Sequence, residues 1–170
     1  PPAVTADTGM DVLTHAAEGC VARKATPFSD AMGEKAFSIA WRSLSHAHAG
    51  DSAAKGEMLL ASCLAGISFN AAGLGICHAL AHALGGRYHI PHGRLNAMLL
   101  PHVIAFNSAD KAAADEYARL AGLCGLAKNP RALMGGVRRL RAGLGMPEKL
   151  TACGVEGQTL LADLDSIAET

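Results

Sequence analysis

The sequence predicts an all-α fold, built as a multi-helix bundle, on three observations. Ala and Leu are abundant, β-branched runs are few and aromatic residues make up only 4% of the chain, a composition that favours helices in close contact at small residues. Apolar residues recur at helical spacing over long stretches that Gly and Pro divide. No alternating strand–helix pattern, internal repeat or low-complexity tract competes with that reading. At 170 residues, half of them hydrophobic, the chain suits one domain, residues 1–170, with a sizeable core.

The elements follow in order. Pro1 to Thr8 reads as a lead-in of about one helical turn that Gly9 breaks. Asp11 to Cys20 is apolar on one face, with Val12, Ala16 and Gly19 in register, and predicts a helix. Thr26-Pro27 marks the next start, with Thr26 as N-cap and Pro27 in the first helical position, and that helix runs to about His46. Gly50-Asp51-Ser52 is a break before a long apolar helix over 53–72. Gly73-Leu74-Gly75 interrupts it as a tight helix–helix turn, and a helix over 76–84 ends at Gly85-Gly86. After a loop over 87–91, residues 92–106 are helical in part, with Pro101 expected to kink the helix or restrict it to a start. Residues 112–124, 129–144 and 156–168 predict three further helices. Arg138-Arg139-Leu140-Arg141 reads as a solvated helix face.

Fifteen acidic and fifteen basic residues cancel to a formal net charge of zero. That argues against a nucleic-acid binder or a polybasic membrane-surface protein, which need a strong positive excess. The five cysteines, Cys20, Cys63, Cys77, Cys124 and Cys153, form no CxxC pair. An odd count without pairing motifs reads as buried free thiols in a reducing cytoplasm, the expected location. No signal-peptide pattern opens the chain, and no apolar run is long enough to span a bilayer. Pro1-Pro2 without an initiator Met reads as the start of a piece of something longer.

Chemistry concentrates in the histidines, seven of the eight lying between His46 and His102. Upstream of that window, Asp11 and His15 stand at i and i+4, so that a carboxylate and an imidazole leave one helix face close enough to reach one ion. His78 and His82 repeat the spacing on an otherwise apolar helix, where two buried imidazoles need partners. His89-Ile90-Pro91-His92-Gly93 follows the loop. Imidazole suits Fe, Zn, Cu and Ni, and a carboxylate adds a hard oxygen. Three neutral imidazoles and one carboxylate leave a divalent ion with a net charge of about +1, able to stabilise negative charge developing on a substrate oxygen. Spacing does not separate His78 from His82, nor His92 from His89. His46, His48 and His102 read as surface or core-satisfied residues, and Cys77 as a packed thiol rather than a ligand. Gly73-x-Gly75 is a poor phosphate loop, having no third Gly and no preceding strand.

Thr8-Gly9-Met10-Asp11-Val12-Leu13-Thr14-His15-Ala16-Ala17-Glu18, the Gly73 to Gly85 stretch with its HxxxH, Pro91-His92-Gly93, Asn96-Ala97, Leu100-Pro101-His102-Val103 and Phe106-Asn107 resemble, in this order, the C-terminal metal-binding domain of iron-containing alcohol dehydrogenases, a dehydroquinate synthase-like fold. Ala61-Ser62, Ala65-Gly66 and Phe69-Asn70 resemble the long helix before the family's histidine helix. The resemblance is dense from Pro1 to Asn107 and thin beyond. It implies metal ligation by Asp11, His15, His78 and His92, a place for His82 near the nicotinamide with a role in proton relay, and a substrate-pocket position for Phe69. It implies reversible NAD(P)-linked oxidation of a primary alcohol to an aldehyde with Fe(II), or Zn, holding the substrate oxygen. The family's N-terminal nucleotide-binding half is absent here, so this chain alone is expected to bind metal without turning over, and a homo-oligomer is expected of the whole protein. The competing readings are a related metal-dependent reductase of the glycerol dehydrogenase or maleylacetate reductase type, a helical metal-binding module without catalysis, and a purely structural helical domain.

Overall fold

The computed structural model describes residues 1–168, and among them all regular structure is helical. Helix α1 (Pro2–Val21) is followed by α2 (Pro27–His48), α3 (Ser52–Ala72), α4 (Ile76–Tyr88), α5 (His92–Asn107), α6 (Lys111–Leu123) and α7 (Pro130–Gly143). A short 3-10 turn (Leu150–Cys153) precedes α8 (Gly157–Ala168). The predicted all-α bundle is therefore observed.

Several starts are fixed locally as the sequence indicates. Thr26 and Ser29 form a reciprocal capping box, the Ser29 N–H donating to Thr26 Oγ1 (3.2 Å) and the Thr26 N–H to Ser29 Oγ (2.8 Å). Asp51, Asp110 and Asn129 cap α3, α6 and α7 by accepting the backbone N–H three residues on.

Four expectations are corrected. Gly9 does not break α1, because packing outweighs its poor helix propensity: a Cβ there would lie 2.2 Å from Leu44 Cδ1, so the glycine lets α2 close onto α1. Helix α4 does not end at Gly85-Gly86 but continues to Tyr88, and the chain leaves it through His89 in the left-handed conformation (φ 55°), its N–H donating to the Gly85 carbonyl at 3.0 Å. The stop falls there because Pro91 disfavours helical backbone at the residue before it. Pro101 does not limit α5, which runs through it; the proline sits in the core beside Leu100, Val103 and Ile104, whose burial offsets one missing backbone hydrogen bond. Arg138 and Arg139 are exposed as expected, but Arg141 is buried, reaching Glu148 at 3.4 Å along the edge of α7.

Helix α1 is the hub. It packs on α2, α3, α5 and α6, while α5 also packs on α4 and α7. The main core gathers Leu13, Phe37, Leu44, Leu100, Ile104 and Leu120. A smaller one, with Leu84, Leu95, Met98 and Ile167 among its members, lies where α4 and α5 meet the C-terminal segment. Among the described residues no single helix is long and apolar enough to cross a membrane.

Candidate metal centre

Three elements converge at the middle of α1. Asp11 and His15 project from it one turn apart, His78 comes from the first turn of α4, and His92 opens α5. What holds α5 there is a backbone contact. A Cβ on Gly93 would lie 1.9 Å from the Asp7 carbonyl oxygen, so only glycine lets α5 approach α1 this closely. Arg94 then clasps Asp7 with two donors, Nε to Oδ1 at 3.2 Å and Nη2 to Oδ2 at 3.0 Å. The Pro91-His92-Gly93-Arg94 segment is thus pinned to α1 immediately after His92.

Asp11, His78 and His92 each offer a donor atom within 4.8 Å of the other two. Asp11 Oδ1 stands 3.4 Å from His78 Nε2 and 3.5 Å from His92 Nε2. His15 lies at the edge of this group, its Nδ1 3.6 Å from Asp11 Oδ2 and its ring 4.2 Å from that of His78. Phe69 of α3 stacks on His15 at 4.5 Å. His82 is exposed and lies beside the three rather than among them, its ring stacked on His92 at 4.7 Å and 6.2 Å from His78. His89 is spent as the exposed cap of α4, which separates it from His92. His46 and His102 are exposed and His48 is half-buried, all outside the group.

Two residues that the spacing argument did not single out complete the arrangement. Glu18, buried on α1, accepts from His78 Nδ1 at 2.6 Å and from the Cys77 N–H at 2.7 Å. Asn96, buried on α5, directs its Nδ2 at Asp11 Oδ1 (2.6 Å), His92 Nε2 (3.0 Å) and His78 Nε2 (3.2 Å). A signal for both was present: Glu18 follows Asp11 by seven residues and His15 by three, and Asn96 follows His92 by four, so each lies on the helix face that carries a predicted ligand. Cys77 is the packed thiol expected, its Sγ 3.6 Å from Asn96 Oδ1 and its ionisation pushed far up by burial. Of the other cysteines Cys20 is buried and Cys124 and Cys153 partly so, whereas Cys63 is exposed, contrary to the expectation of buried thiols; it lies on a side of α3 turned away from the bundle.

The electrostatics favour a cation. Burial pushes the His78 imidazole down, but Asp11 and Glu18 on either side outweigh it and raise it to about 9. Burial pushes the Asp11 carboxyl up, and the hydrogen bond to His78, the charge of His15 and the Asn96 amide together bring it below its ordinary value. Burial lowers His15 and His92, leaving both neutral at pH 7 with lone pairs to offer. One Asn96 amide, with two hydrogens, faces three groups, Asp11 Oδ1, His92 Nε2 and His78 Nε2. Imidazole nitrogens with one carboxylate oxygen are the donor set of a divalent transition metal, so the residues present fit such an ion. A surface groove of about 1170 Å³ meets this cluster only at Glu18, and no histidine lines it.

Comparison with known proteins shows the family. The sequence profile of the Fe-containing alcohol dehydrogenase family, C-terminal, matches residues 5–170. The 1-propanol dehydrogenase PduQ of Citrobacter freundii is 56% identical over 128 residues, covering 74% of this chain and 35% of that protein. The NADPH-dependent butanol dehydrogenase of Clostridium saccharobutylicum is 40% identical over 174 residues, covering 99% of this chain and 44% of that protein. The solved iron-containing alcohol dehydrogenase from Thermococcus thioreducens superimposes with a TM-score of 0.94 at 37% identity, covering 99% of this chain and 44% of that one. The chain thus spans well under half the length of these relatives, and what it matches in the profile is their C-terminal part. This chain belongs to the Fe-containing alcohol dehydrogenase family, whose C-terminal domain it represents.

Proposed function

We propose that Asp11, His15, His78 and His92 hold a divalent metal, Fe(II) or Zn, and that this domain, joined to a nucleotide-binding N-terminal domain, oxidises a small primary alcohol to its aldehyde, or the reverse, with NAD(P). The observation that carries the reading is the convergence of Asp11, His78 and His92 from three helices on one point, with His15 beside them. The relatives' names, a propanol and an NADPH-dependent butanol dehydrogenase, support the alcohol and the nicotinamide cofactor. A bound ion supplies Lewis-acid stabilisation of negative charge on the substrate oxygen.

The chain's own residues do the rest. Asp11 contributes the single negative charge, held ionised by its neighbours. Phe69, stacked on His15, walls the alcohol-binding side with an apolar face. His82, exposed and stacked on His92, would relay a proton between the substrate oxygen and solvent, a role that its exposure and its contact with His92 support. We place the whole protein in the cytoplasm as a homo-oligomer.

The test uses the full-length protein loaded anaerobically with Fe(II). About one ion per chain and alcohol-dependent reduction of NAD(P) are expected, both lost in His78→Ala. Full activity after exhaustive chelation, or unchanged metal content in His78→Ala, overturns the reading.

A further inference from the structure

We propose that Glu18 is the positioning residue of this site: its two carboxylate oxygens cap the start of α4 and fix the His78 tautomer, presenting Nε2 to Asp11 and His92, and Gly75 is glycine to make room for it. The inference rests on the metal reading above.

The start of α4 has no cap of its own. Gly75 occupies the N-cap position and has no side chain to offer. The missing acceptor comes from another helix. Glu18 Oε1 takes the Cys77 N–H at 2.7 Å, and Oε2 lies 3.4 Å from the His78 N–H. An anion at a helix N-terminus also meets the positive end of the peptide dipoles. A carboxylate is costly to bury without such partners, and Glu18 is only 1% exposed.

Oε2 carries the second task. Ionised, it is an acceptor only, so at 2.6 Å it requires a proton on His78 Nδ1. In the neutral ring that leaves the lone pair on Nε2, the atom 3.4 Å from Asp11 and facing the Asn96 amide. One side chain therefore sets where α4 begins and which ring nitrogen of His78 is free. Partners of this kind behind a metal-bound imidazole are commonly worth 10–100-fold in metal affinity.

Gly75 is tied to the same arrangement. A Cβ there would lie 2.7 Å from Glu18 Oε1 and 3.2 Å from its carboxyl carbon. Gly73 in the same turn needs its glycine for another reason, a φ of +93° with nothing near its missing Cβ. The two glycines of Gly73-Leu74-Gly75 thus serve different ends, one the turn and the other the carboxylate.

Glu18→Gln separates the two tasks from a plain space-filling role. An amide in place of the carboxylate can accept from the Cys77 N–H or from His78 Nδ1–H, but in either orientation its NH₂ faces the other donor. In the full-length protein, Co(II) titration by visible absorption is expected to show 10–100-fold weaker binding for Glu18→Gln and weaker binding for Gly75→Ala, with helix content retained. Nitrogen-15 spectra of the histidine rings, recorded on the wild-type protein without metal above pH 9, are expected to show the His78 proton on Nδ1. A wild-type proton on Nε2 overturns the proposal whether or not either variant folds. So does unchanged Co(II) affinity in Glu18→Gln while His78→Ala abolishes binding, which leaves the metal reading standing. Unchanged affinity in His78→Ala removes the metal reading and this proposal together.

Discussion

Helices α1 and α5 meet backbone to backbone at Asp7 and Gly93, whereas α8 is tied to α4 by side-chain hydrogen bonds and an ion pair. At the first junction there is no room for a single methyl group, and the Arg94–Asp7 pair locks the register. At the second, Asp163 accepts from Arg87 and from Tyr88 Oη (2.7 Å), and Ile167 is the one buried residue of α8. The difference separates rigidity needed for geometry from closure needed for cover. Ligands borne on three helices hold their positions only if the helices cannot slide, while a rim helix can open without disturbing them.

The largest expected effect is at the tight junction. Gly93→Ala forces α5 away from α1 against a backbone atom that has nowhere to move, and destabilisation of about 3 kcal/mol is expected. Urea unfolding of the full-length protein checks it, and metal content should fall in parallel because His92 moves with the helix. A variant of wild-type stability and metal content would show the junction to be soft.

A smaller effect comes from pH. With His78 raised to about 9 by its two carboxylates, the ring carries a proton near neutrality that a metal must displace. Apparent metal affinity should therefore rise about tenfold per pH unit from 7 to 9 and then level off, which a competition titration across that range measures. His15 and His92, pushed down by burial, add no proton competition there. Without metal the sign reverses. A folded-state value above the ordinary 6.5 gives stability that is fully present below 6.5 and is lost as pH rises through about 9. A flat affinity profile between 7 and 9 refutes the electrostatic account.

The smallest global effect is expected at the rim. Ile167→Ala should lower amide protection across α8 about tenfold, read by hydrogen exchange, with no change in the global unfolding midpoint or in metal affinity. Loss of protection throughout the molecule would instead make α8 part of the cooperative core.

What could be read in advance follows the range of the forces involved. Helix starts at Thr26-Pro27, Asp51 and Asn129 depend on contacts within three residues, and the sequence displays them. The Asp11–His15 pairing is legible for the same reason, being one helical turn. Gly9 and Pro101 mislead because packing against α2 and within the core outweighs local propensity, and neither neighbour is visible from the segment itself. Arg141 misleads likewise, since which side of α7 is covered depends on where α5 lies. The choice of His92 over His89 needs the left-handed cap at His89 and the Gly93 contact, both tertiary outcomes. Glu18 and Asn96 sit on legible faces, yet their partners arrive from other helices.

The contact between Gly93 and Asp7 also bears on how the protein is made. Asp11 and His15 emerge from the ribosome long before His78 and His92, and α5 can dock only onto an α1 that is already helical through Asp7. Until that close approach is made, the nascent chain lacks His92 beside Asp11 and His78 and so lacks one member of the proposed ligand set. On the proposed metal reading, capture of the ion is in this way coupled to completion of the fold, and a chain stalled before α5 is expected to hold none.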